Sequence, residues 1–163
     1  MSNDDVRSWV MNLSDIEAST DSAYPMQFQQ RVRGRKKRRL SKHSGLKQLS
    51  ALIVELPPGV ATSLRMWQTT EDELAYVLAG EPTLVTDAGE VVMKPGQSVG
   101  FPAGRAVGHH FVNRTDSLVR LLEIASVDDA NESIYTEDDL LAVPAQDGKS
   151  GKRIFVNRNR VPY

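Results

Sequence analysis

The sequence predicts an all-β fold: one antiparallel sandwich or barrel with irregular arms at both ends. Between Gly45 and Ser126, short segments rich in Leu, Ile and Val recur at close spacing, separated by turn residues. No helical pattern longer than about ten residues interrupts them. The chain has 163 residues, about one domain's length, so a single core is expected.

Taken in order, Val6, Trp9, Val10, Leu13 and Ile16 recur at helical spacing and predict a short helix within residues 4–16. Residues 17–30 hold no sustained pattern and are expected to run extended over the surface. Arg31, Arg33, Arg35, Lys36, Lys37, Arg38, Arg39 and Lys42 form one dense basic run. Basic runs can mark nucleic-acid patches, but no helix-turn-helix, zinc-finger or stacking-aromatic pattern accompanies this one. A solvated edge segment is therefore expected, and nucleic acid is not an expected partner. These pieces make up an N-terminal arm, residues 1–44.

Strands are expected near 47–56, 62–68, 73–79, 82–87, 90–93, 97–101, 108–113 and 118–126, within a barrel domain spanning 45–126. Pro57-Pro58-Gly59 cannot supply ladder donors at the prolines and ends the first strand. Asp87-Ala88-Gly89 reads as a tight hairpin loop, and Pro95-Gly96 and Pro102-Ala103-Gly104 as corners. Beyond Ser126 the chain turns polar, and residues 127–163 form a C-terminal arm expected to pack on the barrel or on a partner subunit. Its last segment, from Arg153 to Tyr163, regains a strand-like centre.

Lys plus Arg total 20 against 21 Asp plus Glu, so no global charge draws the chain to nucleic acid or an anionic membrane. Cysteine is absent, which excludes disulfides, thiolate metal sites and a cysteine nucleophile. No apolar run reaches the roughly 20 residues of a membrane helix, and the N-terminus lacks a signal-peptide pattern. A cytoplasmic protein is expected.

Two spaced motifs carry a resemblance. Gly59, Glu73 and Gly80 keep the frame of one; Gly96, Pro102, Gly104, His109 and Asn113 follow the other, with two extra residues before the histidine. In this order the chain resembles the cupins over roughly residues 45–126, which implies a cupin-type antiparallel jelly-roll β-barrel. The resemblance also implies a metal site built from two histidines and the glutamate of the first motif with the histidine of the second. Met66 and Gln68 stand at the histidine-pair positions, so half of that ligand set is missing. Sugar-phosphate isomerisation, dioxygenation and ligand sensing are the functions the resemblance makes available.

Met66 and Gln68 lie two apart on one strand and share a face, as do His109 and Phe111; Trp67 and His110 take the opposite faces. Barrel closure is expected to bring Met66, Gln68, Glu73, His109 and Phe111 around one cavity that binds a small polar metabolite. Glu73 and His109 would fix it, or act as an acid–base pair if buried together, and are the catalytic candidates. A divalent ion such as zinc, nickel, iron or manganese would find only Gln68, Glu73 and His109, a weak set. Glu71 and Asp72 read as a solvated acidic rim, and Asn113 as a strand or turn cap. Leu74, Tyr76 and Leu78 point outward opposite Glu73; together with Trp67 they predict an apolar outer patch and a homodimer.

Overall fold

The computed structural model describes residues 5–145 and 153–163. Twelve strands follow in chain order: β1 (Lys36–Arg39), β2 (Leu49–Leu56), β3 (Met66–Gln68), β4 (Glu73–Ala79), β5 (Thr83–Thr86), β6 (Gly89–Val92), β7 (Ser98–Phe101), β8 (His109–Val112), β9 (Val119–Ser126), β10 (Ser133–Tyr135), β11 (Leu141–Pro144) and β12 (Arg153–Val156). They form two antiparallel sheets, ordered β1-β2-β9-β4-β7 and β12-β11-β10-β3-β8-β5-β6. The sheets face one another as a jelly-roll barrel, the expected all-β class.

Period-two alternation decides what lies inside. On β9, Val119 and Leu121 are fully buried and Glu123 follows on the same face; on β2, Leu56 and Val54 precede Leu52 in reverse order. The register pairs Leu121 with Val54 and Val77, and Glu123 with Leu52 and Ala75. One end of the barrel is thus an apolar plug of Val54, Leu56, Val77, Leu84, Phe111, Val119 and Leu121. The other end turns polar along the same inward rows. Between the two ends β4 carries a register shift at Val77/Ala79, and the turn that follows needs Gly80 at φ +75°. A Cβ there would lie 2.8 Å from the Leu118 carbonyl oxygen.

The expected strands are found, with one shortened. The strand expected over 62–68 keeps only β3, because Ala61 bridges to Val112 and the Thr62 hydroxyl accepts from the Phe111 amide, which turns the chain early. The expected N-terminal helix is instead two 3-10 turns, Val6–Trp9 and Leu13–Asp15. Val6, Trp9 and Val10 stay exposed and only Ile16 docks, so no apolar stripe is buried to sustain a longer helix. Both arms contribute ladders: the sequence pattern hid β1, β10 and β11, whereas β12 falls in the strand-like segment expected from Arg153. β1 pairs along β2, and β10, β11 and β12 extend the second sheet from β3. Around them Tyr24, Val32, Leu64, Tyr135 and Leu140 make a second apolar cluster. No helix among the described residues is long and apolar enough to cross a membrane.

Two further expectations are corrected. Trp67 lies on β3 and so in the other sheet from β4; it does not join Leu74, Tyr76 and Leu78, which are exposed on the outer face of the five-stranded sheet. The basic run does form a sheet edge and most of it is solvated as expected, but Arg35 is buried and Lys37 half-buried. Lys37 pairs with Val54 of an inward row, whereas Arg38 turns outward to Glu55 at 2.7 Å.

Candidate functional site

The polar end of the barrel encloses a cavity of about 600 Å³. All five expected residues border it: Met66, Gln68, Glu73, His109 and Phe111. Phe111 does so as part of the apolar plug, which floors the cavity. β4 delivers Glu73 from one sheet and β8 delivers His109 from the other, and His109 Nε2 lies 3.1 Å from Glu73 Oε2.

His109 is held on three sides. Its Nδ1 is 3.2 Å from the Val107 carbonyl, and the Phe101 ring stacks on it with centroids 3.5 Å apart and planes 4° from parallel. A carbonyl only accepts, so Nδ1 carries a hydrogen. That leaves Nε2 facing the Glu73 carboxylate within hydrogen-bonding distance.

Gln68 is fixed through its amide. Its Oε1 accepts from Asn131 Nδ2 at 2.7 Å and Ser133 Oγ at 2.8 Å, which leaves Nε2 to donate to Glu73 Oε1 at 3.4 Å. Gln68 therefore presents a donor, not a carbonyl oxygen, to the Glu73 carboxylate. Asn131, fully buried, also donates to Glu71 Oε2 at 2.9 Å and accepts from the Thr70 amide at 3.0 Å.

Glu71 corrects the expected acidic rim. It is buried, bonded by Arg153 at 2.6 Å and by the Asp128 amide at 3.0 Å. Only Asp72 is exposed as expected, accepting from the Ala103 amide at 2.7 Å. Asn113 is the expected turn cap, donating to the Leu56 and Ser117 carbonyls at 2.8 and 2.7 Å. His110 takes the opposite strand face from His109, with Nδ1 3.1 Å from the Ser63 carbonyl, and burial lowers its pKa below the usual histidine value.

Sequence reasoning missed a second group of cavity residues: Arg35, Lys37 and Arg39 from the basic run, and Glu123 from β9. Burial pushes the Glu123 carboxyl above the usual range; Lys37 opposes that shift and Glu73 adds to it. Burial likewise draws the Lys37 ammonium down to about 8, with repulsion from Arg35 adding to it. The signal was present as spacing: Arg35, Lys37 and Arg39 recur at period two, as one face of a strand does.

Among the described residues no group of three or more His, Asp or Glu is placed to hold a metal ion. A family model described as "Cupin domain" matches residues 52–125. The crystal structure of a cupin-superfamily sugar phosphate isomerase from Silicibacter pomeroyi DSS-3 is 33% identical, with a TM-score of 0.87 over 94% of this chain and 96% of that one. This chain belongs to the cupin superfamily. Two more distant likenesses show the fold alone. A structure from Acidithiobacillus ferrooxidans ATCC 23270 is 20% identical, with a TM-score of 0.78 over 98% of each chain. The polyketide cyclase RemF from Streptomyces resistomycificus is 23% identical, with a TM-score of 0.60 over 73% of this chain and 79% of that one. No curated protein sequence matches the chain.

Proposed function

We propose that this cupin binds a small sugar phosphate in the barrel cavity and that Glu73 and His109 move a proton between adjacent carbons in an aldose–ketose interconversion. The observation that carries this reading is the 3.1 Å contact between the two side chains at the edge of a 600 Å³ cavity. In the reaction, the Glu73 carboxylate takes the proton from the carbon next to the carbonyl while His109 donates one to the carbonyl oxygen. The resulting enediol collapses when Glu73 returns its proton to the former carbonyl carbon while His109 takes the proton from the hydroxyl on the other carbon, which becomes the new carbonyl. The name of the 33% identical structure, a sugar phosphate isomerase, supports the substrate class.

The site's donor set does not fit a divalent metal. Glu73 and His109 are engaged with one another, Gln68 turns its NH₂ group inward, and Met66 offers only a soft thioether. Elemental analysis of untagged, dialysed protein checks this, and a stoichiometric transition metal would overturn it.

Deuterium uptake tests the reaction. In D₂O, wild-type protein is expected to place solvent deuterium at C2 of one or more of glucose 6-phosphate, mannose 6-phosphate and ribose 5-phosphate. Glu73→Gln and His109→Asn are each expected to slow uptake by about 100-fold or more. Wild-type protein that places no deuterium in any of these sugars would end the proposed reaction, and failure to bind any of them would end the substrate class as well.

Self-association is proposed through the outer face of the five-stranded sheet. Leu74 and Tyr76 pair there with Ile124 and Leu122, so four apolar side chains share one surface beside exposed Leu78. A dimer is expected by sedimentation at micromolar concentration, and a monomer for Tyr76→Lys. A monomeric wild type removes the idea.

A further inference from the structure

Arg35 is a buried cation without an anion. It is only 5% exposed, and its guanidinium borders the cavity. Its Nη1 donates to the Thr62 carbonyl, its Cζ sits 5.6 Å from the Tyr24 ring centroid, and its Nε has no partner. No carboxylate forms an ion pair with Arg35 or Lys37 among the described residues. Buried guanidinium groups are ordinarily paired, because one neutral acceptor does not replace the lost hydration.

Lys37 follows two residues along, on β1 opposite the inward Val54, and also borders the cavity. The charges acting on it most directly are Glu123 of β9, which favours the ammonium, and Arg35 and Arg39, which oppose it. The same cavity is bordered by Glu73 of β4, His109 and His110 of β8, and by Asp21, Glu71, Asp128, Asp129 and Arg153, with the phenols of Tyr24 and Tyr135 near Arg35. Glu73 is bound to His109, and Glu71 is matched by Arg153. Arg35 and Lys37 face Glu123 without an ion pair to it, and burial favours that carboxyl in the neutral form.

We propose that Arg35 and Lys37 form an oxyanion subsite that holds the substrate's phosphate, while Glu73 and His109 act at the carbonyl end. A phosphate monoester dianion matches the two positive charges and offers oxygens to both donors. The assignment rests on the reading of the cavity as a substrate site. It adds a physical role for the basic run, which orients the sugar by one end.

Binding also carries a proton signature. An anion beside Lys37 favours its charged form, so near pH 8, where part of the population is neutral, binding takes up protons from the buffer. Calorimetric titration of the full chain with inorganic phosphate, in two buffers of different ionisation enthalpy, reads both affinity and proton uptake. Wild type is expected to bind in the millimolar range with a buffer-dependent heat. Lys37→Gln, whose side chain faces the cavity and not the core, is expected to bind roughly tenfold or more weakly and to lose the buffer dependence. Arg35→Lys, which keeps the charge but not the fork, is expected to weaken binding as well.

Wild type that does not bind phosphate, or Lys37→Gln that binds it unchanged, overturns the subsite. The deuterium assay separates this failure from that of the proposed reaction. Phosphate binding without exchange would remove the isomerase reading alone. Exchange with an unchanged KM in Lys37→Gln would remove the subsite alone.

Discussion

Replacing Lys37 with methionine tests whether the buried ammonium is held against its own preference. The shift from 10.5 to about 8 means that the charged form is disfavoured inside the barrel. Between those values the unfolded chain binds more protons than the folded one, so the lysine's contribution to stability rises with pH across the window from about 8 to 10.5. At about 1.4 kcal/mol per unit, Lys37 costs about 3 kcal/mol at neutral pH and about 1 kcal/mol near pH 9.5. Methionine keeps the length of the stem and removes the charge. Lys37→Met is therefore expected to be more stable than wild type by about 3 kcal/mol at neutral pH, with the gain shrinking to about 1 kcal/mol near pH 9.5. Urea unfolding followed by tryptophan fluorescence at the two pH values measures both differences. A stability gap that does not change with pH, or a variant weaker than wild type at neutral pH, would refute the reasoning.

Three other substitutions probe what holds the site in place. Gly80→Ala combines an L side chain at φ +75° with a Cβ 2.8 Å from a carbonyl oxygen, and is expected to lose about 2 kcal/mol or more; an unaltered melting temperature would contradict the observed turn. Asn131→Ala leaves Gln68 and Glu71 short of buried donors and should destabilise by about 1–3 kcal/mol, read by thermal denaturation. Arg153→Ala strands the Glu71 carboxylate in a buried position, for an expected loss of about 3 kcal/mol at neutral pH, read by thermal denaturation. An unaltered melting temperature would mean that the ion pair holds nothing in place.

Turn chemistry made the barrel legible. Pro57, Pro58, Gly59, Gly89, Gly96 and Gly104 punctuate β2 through β8 where the structure turns, and alternation between them fixed which face each side chain takes. Glu73 and His109 could be brought together from the sequence because strand alternation and the cupin-like motif spacing point the same way. Arg35 and Lys37 could not, because they stand in a run of eight basic residues within twelve positions whose other members are mostly exposed, which masks these two. Glu71 was hidden for a related reason: its partners Asn131 and Arg153 lie 60 and 82 residues away, and nothing local announces them. Helical spacing at Val6, Trp9 and Val10 misled because periodicity describes a stripe without showing that anything covers it.

Strand β1 hangs on the sheet by a single neighbour, β2, apart from the Ser19–Lys37 bridge. Four residues paired on one side make a ladder with little to hold it shut, and the mutual repulsion of its inward cations pries at it from within. Its amides should exchange with solvent well before those of β9, which is flanked on both sides. An occupant that neutralises those cations would fasten this edge, so the vacant barrel should breathe at β1 and the filled one should fall quiet there.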